Sequence, residues 1–182
     1  MAETGETPAP ARGVIGALLE RERRLIPRLE GVLRFDREIY REIGSDPHAI
    51  PQSLAVVIAT AVLAALGQGG LVAIFVGLGG VILLWMAATS LIWAVGRMAV
   101  GTPIDFSRLL RCSGFAYVWF ALLLFSSLPI LGGIFAWAAV LLALVSLVVA
   151  TSQVLDIDSG RALMICGVAL GVPLVVLLWL GG

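Results

Sequence analysis

Between residue 51 and the C-terminal glycines the chain carries only seven charged side chains: Arg97, Asp105, Arg108, Arg111, Asp156, Asp158 and Arg161. They gather in two short stretches, 97–111 and 156–161, and long apolar segments fill the space between. Five such segments can be drawn, at about 47–66, 71–95, 109–128, 134–151 and 162–180. A soluble domain is about 45–50% apolar and about 25% charged, whereas this chain is 60% hydrophobic and 13% charged. A helix of about 20 apolar residues crosses the hydrocarbon core with its backbone polar groups satisfied internally. The sequence therefore predicts an all-α integral membrane protein with five transmembrane helices over 47–182, preceded by a cytoplasmic amphipathic juxtamembrane helical region.

The punctuation between segments supports this division. Asp46 is placed to cap the first span, with Pro47 in its first helical position and Pro51 bending the first turns. "GQGG" at 67–70 and "PILGG" at 129–133 read as uncharged turns. "TPID" reads as a helix start, with Thr102 as cap, Pro103 first and Asp105 third. "DIDSGR" at 156–161 is a charged loop with capping residues.

Arginine-bearing loops stay cytoplasmic. Eight of the twelve arginines precede residue 50, three lie in 97–111 and one in 156–161, while the other two loops and the C-terminus have none. The alternation predicts a cytoplasmic N-terminus and an external C-terminus in a plasma or bacterial inner membrane. No signal peptide is expected, and residues 1–12 read as a disordered tail. Trp93, Trp137 and Trp179 fall near span ends; Trp85 and Trp119 fall mid-span and need packing partners.

Residues 13–46 form the charged doorstep to this apolar body. Apolar side chains from Val14 to Ile43 recur at helical spacing, among them Leu25, Leu29, Val32, Ile39 and Tyr40. The opposite face carries Arg28, Arg34, Arg37 and Arg41 interleaved with Glu30, Asp36, Glu38 and Glu42. Pro27 is expected to divide the stretch into two helices, and Arg34–Glu38 and Glu38–Arg41 are expected to pair. Such a helix lies in the membrane interface or packs on the cytoplasmic ends of the bundle, and its polar face is a surface for protein partners.

Apolar helices in lipid associate through small residues. Gly167 with Gly171, and the weaker pairs Ala55 with Ala59 and Ala73 with Gly77, suit packing within the monomer or a homo-oligomer face. Cys112 and Cys166 read as free thiols packed among helices. The only histidine, His48, makes neither a metal site nor a catalytic dyad by itself. "GLGG" at 77–80 lies inside a span and reads as packing glycine, not a nucleotide loop. No cofactor, metal, catalytic residue or nucleic-acid partner is expected.

Three passages together are familiar: "LRFDREIYREIGSDP" before the first span, "GRMAVGTPIDFSRLLRCSGFAYVW" at the third, and "DIDSGRAL" before the last. They resemble bacterial members of the Yip family, five-span relatives of eukaryotic proteins that interact with Rab GTPases. The resemblance covers about residues 30–182. Its most specific part is carried by Gly101, Thr102, Phe106, Leu109, Leu110, Arg111, Gly114 and Ala116. Phe115 stands where tyrosine is common, and Trp119 stands in the usual proline region, so no proline kinks that helix. The resemblance implies a cytosolic N-terminus, five spans, and a role in membrane organisation or trafficking through protein partners.

The expected function is therefore a non-enzymatic membrane scaffold or adaptor. Asp36, Tyr40, Arg108, Arg111 and Arg161 are its candidate partner-binding residues, with Asp105 expected to pair with Arg108. The alternative is a small-solute permease or channel subunit with Thr89, Ser90, Ser126 and Ser127 lining a path.

Overall fold

A computed structural model describes residues 24–67, 71–101 and 103–181, without the side chains of 71–77 and 172–181. The predicted tail, the amphipathic stretch before residue 24, residues 68–70 of the first turn, Thr102, the Ala73–Gly77 pair and the side chain of Trp179 lie outside the described residues. All the regular structure among the described residues is helical. Helix α1 covers 24–33. It is followed by α2 (Arg37–Ser45), α3 (Ala49–Gly67), α4 (Leu71–Val100), α5 (Phe106–Ala116), a 3-10 helix (Tyr117–Phe125), α6 (Gly132–Leu155) and α7 (Ser159–Gly181).

Four helical stretches are long and apolar enough to cross a membrane: Ala49–Gly67, Leu78–Val100, Phe106–Phe125 and Gly132–Leu155. Helix α7 runs for 23 residues, of which Ser159–Gly171 carry described apolar side chains. The helices run up and down, with α5 and its 3-10 continuation wedged among α3, α4 and α6, and with α7 against α4 and α6.

The helix breaks differ from those expected in three places. Helix α1 runs through Pro27 and ends at residue 33 instead. There the Asp36 N–H donates to the Gly31 carbonyl (2.9 Å) and the Phe35 N–H to the Val32 carbonyl (3.0 Å). This is a Schellman stop with Phe35 left-handed at φ 56°. That φ is costly for a residue with a Cβ, and the ring of Phe35 stacks on Trp119 with centroids 5.4 Å apart. Because the break falls here, Arg34 lies in the turn after α1 and Glu38 on α2. Arg34 pairs with Glu30 (2.6 Å) rather than with Glu38, and Arg41 bonds to Gln153 rather than to Glu38.

The third span begins at Phe106, not at Pro103, and its cap is Asp105, whose Oδ1 accepts from the Ser107 N–H (2.9 Å). The same span turns from α-helix to 3-10 helix at Tyr117 with no proline present. Nine consecutive 3-10 residues are unusual. At about 2.0 Å rise each, they lengthen the segment Phe106–Phe125 to about 34 Å, enough for a hydrocarbon core of about 30 Å.

Small residues do pack the bundle, but not the pairs the spacing suggested. Ala55 and Ala59 are exposed, and a Cβ built on Gly167 or Gly171 meets nothing within 4 Å among the described residues. The close approaches belong to Ala61, Ala139, Ala150, Ala162 and Ala169, all nearly fully buried, and to Gly114, whose Cβ would meet Ser53 at 2.6 Å. Hydroxyls satisfy the polar groups between helices. Ser113 accepts from the Trp85 indole (2.9 Å) and bonds to Thr89 (2.8 Å), while Ser53 donates to the Arg111 carbonyl (2.7 Å). Both cysteines are free and buried.

Candidate functional site

Every described arginine lies at one end of the bundle, where α3, α5 and α7 begin and α4 and α6 end. Helices α1 and α2 fold over that end as a cap. Asp36 starts α2 by accepting the Glu38 N–H on Oδ1 (2.9 Å), which orients the helix so that Tyr40, Ile43 and Gly44 face inward. Tyr40 and Ile43 join Val32, Leu109, Cys112 and Phe115 in the main core. The apolar face of α2 is thus spent on α5 and α6.

Arg28 holds the cap down. It is 2% exposed, and its guanidinium donates to Glu42 Oε1 (3.0 and 3.2 Å), Asp46 Oδ2 (2.7 Å) and Gln52 Oε1 (2.6 Å). One side chain from α1 thereby joins α2, the turn after it, and α3. A buried cation is tolerated only when its donors are met in this way. Partial burial pushes the Asp46 carboxyl up, but Arg28 and the His48 N–H outweigh it and hold the group below the usual carboxylate value. Asp46 does not take the capping position expected of it: it closes the C-terminus of α2, its N–H donating to the Glu42 carbonyl (3.1 Å), and its Oδ1 accepts the His48 N–H (2.9 Å) in the turn before α3. Helix α3 itself starts two residues later than Pro47, at Ala49.

The five residues singled out in the sequence have different fates. Asp36 is exposed and caps α2. Tyr40 is fully buried, with its hydroxyl bonded to that of Ser146 and its carbonyl accepting from Cys112 Sγ (3.3 Å). Its ring reaches toward a point about 10 Å along α6 from Gln153. Burial raises its phenol above the ordinary range, and the Ser146 bond offsets part of this.

Arg108 is partly buried and donates to the Gln153 carbonyl (3.3 Å), and its Nε, also buried, has no acceptor among the described residues. Arg111 is buried and turns back on its own helix, donating to the Ser107 carbonyl (3.0 Å) and hydroxyl (2.9 Å). It also takes the ion pair expected of Arg108, lying 3.6 Å from Asp105. Partial burial raises the Asp105 carboxyl, while Ser107, the Arg108 N–H and the Arg111 charge bring it below the usual value. Arg161 is exposed, 3.5 Å from Asp158.

The fold brings Tyr40 and Arg108 together around Gly44 and Cys112. Asp36 meets Tyr40 only through the backbone, its carbonyl accepting the Tyr40 N–H (3.4 Å), and among the described residues no side-chain hydrogen bond or ion pair joins Asp36, Arg111 or Arg161 to them. Arg28 was legible only as one more arginine on a polar face. Its signal is positional: it falls within the apolar stripe of Leu25, Leu29 and Val32, where a solvated charge does not belong.

The four residues of the permease reading do not converge. Thr89 is buried between Trp85 and Ser113, Ser90 faces outward, and Ser126 and Ser127 lie in the turn at the opposite end. An apolar cavity of about 140 Å³ lies between α3, α4 and the 3-10 helix, lined by Thr60, Ala64, Leu84, Tyr117 and Phe120 among others. Among the described residues, no three His, Cys, Asp or Glu side chains are grouped to hold a metal.

A family model of the Yip1 domain matches residues 31–180. No curated protein and no solved structure matches the chain. The match begins within α1, three residues after Arg28.

Proposed function

The chain belongs to the Yip1 domain family, and from that premise we propose that it is a non-enzymatic scaffold or adaptor of the plasma or bacterial inner membrane. It spans the bilayer five times, with α7 as the fifth span, the N-terminus and the cap cytoplasmic, and the C-terminus outside. Protein partners dock on the cap. Asp36 and Arg161 offer exposed charges to them, Arg108 forms part of the rim, and Tyr40 and Arg111 set the positions of α2 and α5. A second copy of the chain packs along α7 through Gly167 and Gly171.

The reading rests on one observation: Arg28 fixes a polar, charge-dense cap to an otherwise apolar bundle. A preorganised surface of this kind loses little ordering entropy when a partner binds. The outward face of Gly167 and Gly171 supports the second copy. Crosslinking in cells followed by mass spectrometry tests the proposal, with alanine at each of Asp36, Tyr40, Arg108, Arg111 and Arg161. Reduced partner recovery at equal membrane abundance is expected, and unchanged recovery in all five variants overturns it. A reporter fused after Gly182 tests the orientation and is expected to be active only outside the cytosol.

A further inference from the structure

From Arg28 onward, most arginines have an identified partner. Arg28, Arg34, Arg111 and Arg161 each lie within 4.0 Å of a carboxylate, and Arg97 covers the ring of Trp93 at 5.4 Å. Arg37, Arg41 and Arg108 have no carboxylate partner among the described residues. They are not scattered. Arg37 and Arg41 lie one turn apart on α2, and Gly44 continues the same face. The third guanidinium lies over Gly44, where a Cβ would sit 3.0 Å from Arg108 Nε. The glycine is what lets Arg108 come so close to α2.

All three reach the end of α6 or the start of α7. Arg37 donates to Ser159 Oγ (3.2 Å), Arg41 to Gln153 Oε1 (3.1 Å) and Arg108 to the Gln153 carbonyl (3.3 Å). Each guanidinium has five N–H donors, and each makes one of these bonds. The C-terminus of α6 offers roughly half a unit of negative charge against three full positive ones. The nearby acids are engaged elsewhere or do not pair with the row. Glu42 binds Arg28, Asp158 faces Arg161 and caps α7, and Glu38 and Asp156 make no ion pair with the three arginines. Among the described residues Arg108 Nε, packed over Gly44, is a buried donor without an acceptor, which leaves its terminal NH groups to face outward partners.

We infer that Arg37, Arg41 and Arg108 form a binding site for a phosphate group, of the kind carried by an anionic lipid headgroup or by free phosphate. Guanidinium forks match phosphate oxygens, and several of them share its charge. Gln153 lies two residues from the end of a helix long and apolar enough to cross a membrane, where a spanning helix leaves the hydrocarbon core for the headgroup region. The site does not depend on the scaffold reading above.

The test is native mass spectrometry of the full chain in a neutral detergent. It is titrated with phosphatidylglycerol, with phosphatidylcholine as the zwitterionic control, and separately with inorganic phosphate. Phosphatidylglycerol is expected to bind well above phosphatidylcholine. The double variant R37Q/R41Q changes two exposed side chains and leaves the core intact. It is expected to weaken that binding about 25-fold, about fivefold for each arginine, and adding R108Q weakens it further. R34Q, whose guanidinium is already held by Glu30, leaves it unchanged. If inorganic phosphate binds as well as the lipid and loses affinity in the same variants, the site stands and its ligand is soluble phosphate. If neither probe binds, or R37Q/R41Q binds as tightly as the unmodified chain, the inference is wrong.

Discussion

The two ends of the bundle are held by different physics. At the capped end, long charged side chains reach across gaps: Arg28 joins three segments, and Tyr40 reaches into the bundle to Ser146. At the opposite end, backbones touch with almost nothing between them. A Cβ on Gly67 would lie 2.1 Å from the Leu123 carbonyl oxygen, and one on Gly132 would lie 2.1 Å from that of Ser126. The first arrangement needs water or ion partners nearby and tolerates small shifts. The second needs neither, and tolerates none. Where charge is cheap the chain uses reach, and where it is expensive the chain uses the absence of a side chain.

Substitutions at each end test this contrast. Arg28→Ala strands Glu42, Asp46 and Gln52, and is expected to cost about 3 kcal/mol, the lower edge for a broken buried pair because Glu42 is half exposed. Thermal unfolding in detergent should fall by about 6–12 °C. Hydrogen exchange should rise in α1 and α2 while the turn at 126–131 stays protected. Gly67→Ala should do the reverse at about 2 kcal/mol, because the obstructing atoms are backbone and cannot swing away. Equal loosening of both ends in either variant would erase the distinction.

Ser113→Ala probes the middle. It leaves the Trp85 indole N–H without an acceptor, for an expected loss of about 1 kcal/mol and a shift in tryptophan emission. Phe35→Gly is the smallest effect. Relief of the left-handed φ, worth about 1 kcal/mol, is offset by loss of the Trp119 stack, worth about 0.5–1.5 kcal/mol. The measured melting temperature should therefore barely move.

Acid separates the ends without mutation. The Asp46 carboxyl is held below its ordinary value of 3.8 in the folded chain, so the unfolded chain takes up the proton first. Its contribution is complete above that value and is lost as the pH falls below it. Exchange in the cap is expected to rise on acidification below about pH 4, and Asp46→Asn should reduce that dependence, leaving the part that Asp105 contributes at the start of α5. The Gly67 contact has no titrating group and should not respond.

Much of the architecture was legible because lipid permits so few solutions. Apolar runs near 20 residues, punctuated by "PILGG" and "DIDSGR", located the helices to within a few residues. The capping residues of "DIDSGR" were readable, and Asp158 takes that role, since capping is local chemistry. The break at Phe35 was not legible, because a proline eight residues earlier gave a stronger local signal than a phenylalanine whose conformation is supported by a distant tryptophan. The shift to a 3-10 helix at Tyr117 left no mark that composition can show. Among the site residues, Tyr40 and Arg111 read as surface groups because helical periodicity gives a residue a face but does not say what covers that face.

The sequence by itself determined that this chain is a multi-pass helical membrane protein and that its arginines gather at one end of it. Both follow from the cost of placing charge in hydrocarbon, a property of single residues and their spacing. Only the tertiary structure decided which arginine is buried, which carboxylate it meets, and which three are left facing one loop. Those outcomes depend on contacts between residues up to 122 positions apart, set by how α2 settles on α5 and α6.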